Sequence, residues 1–502
     1  MRRAFTFVAS FGWLAVFLIG AGFSWATDAS LNLPVQKKIL KNGLTVLVLE
    51  QPGVPVVSFS YMVPVGAQDA PKGKTGLSHM LEHMMFKGTE TLGTTSYAKE
   101  KPILEAQDKV ALAINAENDK LVPSQEKLKT LNEKMKKLQD EQRSVAVVNE
   151  LWNLYAKNGG LSLNAYTSQD VTNYHITLPA NKVLLYATIE EDRLKHPVFR
   201  EFYSERDVVA QERRWNETMP DRVMWEALCG AAFTASPYKE PVLGWMTDIK
   251  KLIRTDAENF YHQAYRPDRA VLAVVGGVKA SEVFSIFEKT IGTVPNPPVA
   301  PLKPDWSKEP PQAGEKTVKV RFDADPMVMM AWHKPAFPDK DAVTMEILSD
   351  ILTGGNTSRL NKRLVFDKKM ATSVSCMSDF PGDRIPNLFI LQFVPSPKQD
   401  SAKVIEAIDQ EIENIHKNGV TEEELGRARR GIKSSTLWQT TSTMGMAEDL
   451  AWYQAVYGDW SYFTRYLDMA SSVTSKDIQD AVGKYLVPDN RTIATLERTA
   501  SK

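Results

Sequence analysis

The chain has 502 residues, and its 61 lysines and arginines balance its 61 aspartates and glutamates, so it carries no formal net charge. This balance excludes a strongly basic protein whose main partner is nucleic acid. The chain is longer than a single hydrophobic core usually supports, which predicts two or more domains. Cys229 and Cys376 are too few for a disulfide framework and too far apart for a paired metal motif, so we expect two buried thiols.

The first 26 residues have the pattern of a secretory signal. Arg2 and Arg3 precede an uncharged, mostly apolar run that starts at Ala4 and ends in small residues at Ser24 and Ala26. The pattern predicts a signal peptide over 1–26, cleaved after Ala26, and therefore a periplasmic or secreted protein. Because the apolar run is long for a signal, an uncleaved membrane anchor is the alternative.

Strand and helix patterns follow the signal. The stretch "KKILKNGLTVLVLE" (37–50) predicts a β-hairpin that turns at Asn42-Gly43, and helical periodicity begins at Leu77. Between about 101 and 149, apolar residues recur at three- and four-residue spacing in two runs separated by Val122-Pro123. This predicts an antiparallel helical hairpin of coiled-coil type, which is either a rigid decoration or a docking arm or gate.

A proline-rich segment divides the rest of the chain. Residues 291–315 contain seven prolines, which predicts a semi-rigid linker. On each side of it, an acid-containing helix, a tyrosine (Tyr265 or Tyr485), a Pro-Asp pair and an apolar strand follow one another. The repeat predicts two similar α+β halves, 35–290 and 316–498, each an antiparallel sheet packed with helices.

The stretch "GLSHMLEHMMF" (76–86) carries the strongest chemical signal. His79, Glu82 and His83 stand at i, i+3 and i+4, so a helix would place them on one face. Two imidazoles one turn apart can bind one Zn²⁺, while the glutamate beside them is free to act as a base. Two core histidines near a glutamate are the alternative, but this order of residues is a zinc-peptidase signature. A catalytic zinc also needs a third protein ligand and an open position.

The inverted order His-x-x-Glu-His resembles that of the pitrilysin/insulinase family of zinc peptidases, which includes mitochondrial processing peptidase. Further segments are similar to family segments in the family's order: "LKNGLTVLV", "LNAYTSQDVTNYH", "HPVFREFYSERDVVAQE", "SPYKEPVLGW" and "YRPDRAVLAVVGGV". The resemblance extends over about 35–498 and is denser in the first half. It implies a clamshell of two halves that encloses a chamber, and one zinc ion per chain.

The resemblance also implies the remaining residues of the zinc site. In "ERDVVAQE", Glu212 matches the family's third zinc ligand, and Glu205 matches the carboxylate that orients a ligand histidine. Spacing alone would not select Glu212, because several other acids lie nearby, and a solvated helix charge is the alternative. His83 and Glu212 are 129 residues apart, farther than is usual in the family. We attribute the excess to the helical hairpin as an insertion.

The segment "NAYTS" (164–168) resembles the family's substrate-binding edge strand. An exposed strand edge offers unpaired backbone groups to which an extended peptide can add as another strand. Asn164, Ala165 and Tyr166 are therefore the predicted substrate-binding residues. An ordinary polar strand end is the alternative.

The second half departs from the family pattern. In one-chain relatives, an arginine and a tyrosine seven residues later hold the substrate and the oxyanion, but the matching positions here are Val365 and Thr372, and Arg363 is out of register by two. Losing one such donor typically costs ~10²–10³ in rate. Some relatives divide these roles between two subunits, so we expect a sister subunit that supplies the pair, or a homodimer.

Taken together, the residues and the resemblance predict a zinc metalloendopeptidase that cleaves peptides or unfolded polypeptides outside the cytoplasm, with Glu82 as general base. It is expected to be the zinc-bearing subunit of its assembly, with membrane contact only through an uncleaved N-terminal segment. The rival hypothesis is a non-catalytic protein of the same fold that binds peptides or a sister subunit.

Overall fold

Two helix-covered sheets form the framework of the chain in a computed structural model that describes residues 31–303 and 307–499. The signal predicted for 1–26 lies outside the described residues. Between 294 and 315, the described residues form no helix or strand, and Glu309 within this segment accepts hydrogen bonds from the backbone N–H groups of 234–236.

The first sheet has six strands: β1 (Gln36–Ile39), β2 (Thr45–Glu50), β3 (Val56–Val63), β4 (Leu161–Thr167), β5 (Thr172–Pro179) and β6 (Val271–Gly276). Their order across the sheet is β1-β2-β6-β3-β5-β4. The predicted hairpin joins β1 to β2, and Gly43 has φ +93° in its turn, which favours glycine. β4 lies at the end of the sheet, so no strand of the described residues pairs with one of its edges.

The second sheet repeats this plan with five strands: β7 (Lys316–Phe322), β8 (Met327–Lys334), β9 (Ala371–Phe380), β10 (Asn387–Pro395) and β11 (Arg491–Arg498). The order β7-β11-β8-β10-β9 matches β2-β6-β3-β5-β4 of the first sheet. The prediction of two similar α+β halves is confirmed. Each sheet is antiparallel apart from one parallel pair, β2 with β6 and β7 with β11. The parallel pair arises because the last strand of each half returns through helices rather than through a hairpin.

Within the described residues, ten α-helices belong to the first half: α1 (Leu77–Met84), α2 (Tyr97–Asn118), α3 (Gln125–Arg143), α4 (Glu150–Lys157), α5 (Val183–Lys195), α6 (Phe202–Asn216), α7 (Pro220–Ala232), α8 (Met246–Lys251), α9 (Arg254–Ala264) and α10 (Ala280–Lys289). Six α-helices follow in the described part of the second half: α11 (Lys340–Thr353), α12 (Ser401–Asn418), α13 (Glu422–Gln439), α14 (Thr443–Tyr457), α15 (Tyr462–Ser472) and α16 (Ser475–Tyr485). Among the described residues, no helix is both long enough and apolar enough to cross a membrane.

The predicted helical hairpin consists of α2 and α3. It begins at Tyr97 rather than near 101, and α3 ends at Arg143. Buried side-chain amides hold the two helices together: Gln107 donates to Gln142 (3.0 Å), and Gln142 donates to Glu100 (3.1 Å). Because the start of α2 meets the end of α3, the helices run antiparallel.

The halves exchange one helix each. Met224 and Leu228 of α7 pack with Met329 and Leu496 of the second sheet. In return, Met446 and Leu450 of α14 pack in the same core as residues of β2, β3 and β6 in the first sheet. Burial of apolar surface on both sides holds the halves together and leaves a cleft between them.

Candidate metal centre

The helix that carries the motif is fixed by its apolar face. Leu77, Met80, Leu81 and Met84 recur at helical spacing in α1, and all four are buried in the core of the first half. Gly76 begins the helix at φ +83°, where a Cβ would lie 2.3 Å from the Leu243 carbonyl oxygen, so only glycine fits. The polar residues of the motif therefore face away from this core.

Three donor groups converge in front of α1. The His79 Nε2 and His83 Nε2 atoms lie 3.7 and 3.8 Å from the same Glu212 oxygen, and the ligand atoms of all three residues lie within 4.8 Å of one another. These separations are too long for hydrogen bonds. They approach the roughly 3.4 Å expected between ligands of a tetrahedral zinc ion. Two imidazole nitrogens and one carboxylate oxygen are also a donor set that zinc prefers, so the residues fit the ion.

Glu212 reaches this position from α6. Val209 and Arg213 lie on the buried side of the helix, and the Arg213 guanidinium pairs with Glu217 (3.2 Å) and with Glu226 of α7. These contacts set the rotation of α6, and the Glu212 side chain is 38 % exposed toward the cleft. A distant segment thus brings the Glu212 carboxylate close to the two histidines.

Glu205 holds one of the two histidines. Its carboxylate contacts His83 Nδ1 at 2.8 Å and the Lys87 ammonium at 2.6 Å. The contact leaves His83 Nε2 directed at the cluster, as a ligand nitrogen requires. Burial raises the pKa of Glu205, but the hydrogen bonds from His83 and Lys87 outweigh it and lower the pKa to about 2. For His83, burial lowers the pKa, and Glu205 more than offsets this, so the pKa is raised.

His79 has a different environment. It is buried, and its Nδ1 atom has no hydrogen-bond partner among the described residues. Burial, together with the charge of His83, lowers the pKa of His79 to about 3. The ring is therefore neutral at physiological pH, the form in which imidazole binds metals.

Glu82 lies beside the three donors and is held by β4. One of its carboxylate oxygens accepts a hydrogen bond from the Thr167 hydroxyl at 2.6 Å. Burial raises the pKa of Glu82, and Glu212 adds to the effect, while Thr167 and His83 oppose it; the balance is a raised pKa. A carboxylate with a raised pKa next to a metal site is well suited to take up and release a proton.

The cluster opens into a cavity of about 500 Å³ between the halves. His79, Glu82 and Glu212 border it on one side, and Phe380 and Pro381 of the second half border it on another. Much of the remaining wall is apolar and includes Trp215, Trp225, Val242 and Leu243. The volume is in the range of ligand-binding pockets.

The strand predicted to bind substrate forms the rim of this cavity. β4 pairs with β5 through Ala165 opposite Tyr174 and Tyr166 opposite Asn173, and it has no partner strand on its other edge among the described residues. Ala165 and Tyr166 line the cavity, whereas Asn164 is exposed on the strand and does not line it. The strand with the unpaired edge is thus the one whose Thr167 side chain contacts Glu82.

The positions of the second half that depart from the family pattern are not in the wall of this cavity. Val365 packs against the core of the second half, and the exposed Thr372 donates to the Val394 carbonyl oxygen at 3.3 Å. Arg363 is engaged by Glu411 at 2.7 Å. None of the three lines the cavity in the described part of the chain.

Sequence reasoning missed Thr167 and Lys87. Thr167 lies in the segment 164–168, and Lys87 directly follows the segment 76–86, but neither was assigned a role. The alternation of a strand was the available signal for Thr167, because residues two apart share a face and Ala165 faces the cavity. Lys87 follows the helix and touches the site only through Glu205, so no local pattern marks it.

Two family models match the chain. The one described as "Insulinase (Peptidase family M16)" matches 45–120 and 142–245, and the one described as "Peptidase M16 inactive domain" matches 251–432. The chain belongs to peptidase family M16. His79, His83 and Glu212 all lie within the residues of this M16 chain that the insulinase model matches. That match is interrupted over 121–141, which covers the loop after α2 and most of α3.

Known proteins similar to this M16 chain agree with that assignment. It is 27 % identical to a protein named zinc protease PqqE from Helicobacter pylori, over 92 % of this chain and 93 % of that one. It is 23 % identical to the mitochondrial-processing peptidase subunit beta of Neurospora crassa, over 90 % and 86 % of the two chains. The crystal structure of a protease from Helicobacter pylori has the same fold, with a TM-score of 0.77 at 23 % identity over 93 % of this chain and all of that one.

Proposed function

We propose that this M16 chain is a zinc-dependent endopeptidase that hydrolyses extended peptides or unfolded polypeptides outside the cytoplasm. One observation carries the proposal: the donor atoms of His79, His83 and Glu212 converge beside Glu82, next to an open strand edge. A metal site alone would not favour polypeptides as substrates. An open strand edge alone could bind a peptide but could not cleave it.

Substrate binding follows from the position of β4. A peptide that adds to the open edge forms backbone hydrogen bonds that are independent of its sequence. Asn164, exposed on the strand, adds a side-chain amide, while Ala165 and Tyr166 place the peptide against the cavity. Because strand addition needs an extended chain, folded proteins are excluded as substrates until a segment unfolds.

His79, His83 and Glu212 hold the zinc ion, and Glu205 keeps His83 in the orientation that this requires. A bound zinc ion supplies Lewis acidity, which polarises a peptide carbonyl and makes water more acidic. Glu82 takes a proton from the attacking water as the carbon–oxygen bond forms. It then gives a proton to the leaving amine as the carbon–nitrogen bond breaks. Thr167 holds the Glu82 carboxylate in place during both transfers.

We also propose where the enzyme acts and which partner it needs. The segment 1–26 directs export with cleavage after Ala26, and the chain contacts the membrane only if cleavage fails. The second half lacks the arginine and tyrosine of one-chain relatives at Val365 and Thr372. A sister subunit supplies these groups, in keeping with a relative that is itself named as a subunit. The alternative is a homodimer, in which neither copy carries the pair.

A non-catalytic peptide-binding protein is the second candidate. The family model that matches 251–432 carries the word "inactive", and the missing arginine and tyrosine favour this candidate too. Glu82 argues against it, because binding alone needs no carboxylate beside the metal ligands.

Cleavage of unstructured peptides by the purified protein decides between the two. The wild-type protein, alone or with a sister subunit, is expected to cut within the peptide, and a zinc chelator is expected to abolish the cut reversibly. Glu82→Gln should retain zinc and lose activity by about 10²–10⁴-fold. Zinc retained with no turnover under any of these conditions favours the binding protein.

A further inference from the structure

The metal-side cavity of about 500 Å³ contains polar side-chain atoms that the proposed chemistry does not use. Among the described residues that line it, three buried side-chain nitrogen or oxygen atoms have no hydrogen-bond partner: His79 Nδ1, Gln169 Oε1 and Trp225 Nε1. His79 belongs to the metal centre, but Gln169 and Trp225 do not. Buried polar atoms without partners are costly, so a group that pairs with these two would be bound favourably.

Gln169 is held in one orientation. It follows β4 directly and is only 4 % exposed, and its backbone carbonyl oxygen accepts a hydrogen bond from the Gln68 N–H group at 3.2 Å. Its side-chain Nε2 donates to the Glu240 carbonyl oxygen at 2.8 Å. Because only the NH₂ group of an amide can donate, this contact fixes which atom is the nitrogen and leaves Oε1 as an acceptor without a partner.

Trp225 supplies a donor from the other half of the cavity wall. It lies on α7, the helix that packs against the second sheet. Its ring lies 5.5 Å from that of Phe380 on β9, and the Arg222 guanidinium lies 4.9 Å from the centre of the ring on the indole face. These contacts hold the indole, whose N–H group can donate but cannot accept. The cavity therefore offers one acceptor and one donor.

The chemistry of this pair limits what can bind. A complementary group must donate to Gln169 and accept from Trp225. A carboxylate cannot donate, and a guanidinium or ammonium group cannot accept, whereas a hydroxyl group or a primary amide can do both. The aromatic side chains in the wall, Trp215, Trp225 and Phe380, favour an aromatic ring over an amide or a short alcohol. A phenol, the side chain of tyrosine, combines the ring with the hydroxyl.

The cavity is in the right place for a substrate side chain. His79, Glu82 and Glu212 border it, and so does Ala165 of β4. A peptide that lies along β4 with its scissile bond at the metal centre would therefore place a neighbouring side chain in this cavity.

We infer that Gln169 and Trp225 recognise the hydroxyl group of a substrate tyrosine next to the scissile bond. The tyrosine O–H donates to Gln169 Oε1, and its oxygen accepts from Trp225 Nε1–H. The inference rests on the proposed peptidase function, since it assumes that a peptide lies along β4. It makes the enzyme prefer tyrosine to phenylalanine, whereas a purely apolar pocket would favour phenylalanine.

Peptide binding to the zinc-loaded Glu82→Gln protein tests the inference without turnover. The probes are fluorescent, unstructured peptides of glycine, alanine and serine around one central residue, which is tyrosine, phenylalanine or glutamine. The tyrosine peptide should bind about ten- to a hundred-fold more tightly than the phenylalanine peptide, because phenylalanine leaves both buried atoms without partners. Equal or tighter binding of the phenylalanine peptide overturns the inference, and tightest binding of the glutamine peptide overturns the choice of a phenol.

Trp225→Phe and Gln169→Leu test whether the preference arises in this cavity. Trp225→Phe removes the N–H group but keeps an aromatic ring, so the preference for tyrosine should fall by about five- to tenfold while the affinity of the phenylalanine peptide stays unchanged. Gln169→Leu should lower the preference by a similar factor. Trp438→Phe and Asp323→Asn change exposed side chains that do not line the cavity, and both should preserve the preference.

A full preference for tyrosine in either cavity variant overturns the role of the residue that was replaced. Gln169→Leu also loses the contact with Glu240, so Trp225→Phe decides the question if Gln169→Leu does not fold.

Cleavage of the same peptides by the wild-type protein separates this inference from the proposed function. If the protein binds with the preference for tyrosine but cleaves nothing, alone or with a sister subunit, the peptidase proposal fails and the subsite stands. If it cleaves the peptides without a preference for tyrosine, the peptidase proposal stands and the subsite fails.

Discussion

The Thr167 hydroxyl donates a hydrogen bond to the Glu82 carboxylate over 2.6 Å, and so joins the strand that would bind substrate to the group that would move the proton. Thr167 ends β4, and Glu82 lies on α1 between the two histidines. A single contact thus makes the position of the base depend on the position of the strand.

Replacing Thr167 by valine removes this donor while keeping the shape of the side chain. We expect kcat to fall by about tenfold, because one hydrogen bond to a charged group is lost, and KM to change little. Steady-state kinetics on a peptide substrate measures both constants. Thr167→Ser keeps the hydroxyl and should retain most of the activity; equal losses in the two variants would show that Thr167 acts through packing alone.

Glu205→Gln tests the contact that orients His83. The amide still accepts a hydrogen bond from Nδ1 but loses the charge shared with Lys87, so zinc affinity should fall by about 10- to 100-fold. Competition with a chromogenic chelator measures the affinity. Asp207→Asn, at an exposed position of the same helix, is the matched control and should bind zinc as the wild type does. Unchanged affinity in Glu205→Gln would remove Glu205 from the site.

Asp170 connects the two halves near the cleft. It is fully buried and accepts hydrogen bonds from Gln68 and Tyr238 of its own half and from the backbone N–H groups of Asp383 and Arg384 of the other half. Asn at this position turns one acceptor into a donor that faces other donors. We expect the free energy of unfolding to fall by about 3 kcal/mol, measured by urea denaturation. Asp323→Asn should unfold as the wild type does, and a similar midpoint for both variants would contradict the role of Asp170.

Glu346 gives the stability of the chain a distinct pH dependence. Burial, reinforced by Asp379 and Asp383 and opposed by Tyr466 and Lys334, raises its pKa from 4.5 to about 7. A carboxyl group whose pKa is higher in the folded chain destabilises that chain once ionised, so stability is lost as the pH rises from about 4.5 to 7.

Glu346→Gln removes this ionisation. The variant should melt at a higher temperature than the wild type at pH 8 and at about the same temperature at pH 4, as measured by calorimetry. A variant that is less stable at pH 8 would show that the charge of Glu346 is stabilised in the free protein. Asp323→Asn should show no difference at either pH.

The sequence was enough to predict the local parts of the site. His79, Glu82 and His83 lie within two turns of one helix, so their shared face follows from helical geometry alone. The hairpin at Asn42-Gly43 and the repeat around Tyr265 and Tyr485 also have local signatures in the sequence. The repeat correctly predicted two similar α+β halves.

Features that depend on contacts between distant parts of the chain could not be predicted from the periodicity of the sequence. Glu212 lies among several acids on α6, and only the resemblance to the family distinguished it. The apolar faces of α7 and α14 are visible in the sequence, but nothing in them tells which sheet they cover, so the exchange of helices between the halves was not predicted. The cavity of the second half that Glu346 and Asp449 line was missed for the same reason, because the two residues come together only through the fold.

The central claim is that His79, His83 and Glu212 together bind one zinc ion. Metal analysis of the protein after dialysis against buffered zinc tests this most directly, with Glu212→Gln compared against Asp207→Asn on the same helix. We expect one zinc per chain in the wild type and in Asp207→Asn, and almost none in Glu212→Gln. A full zinc ion in Glu212→Gln, or none in the wild type, would contradict the account.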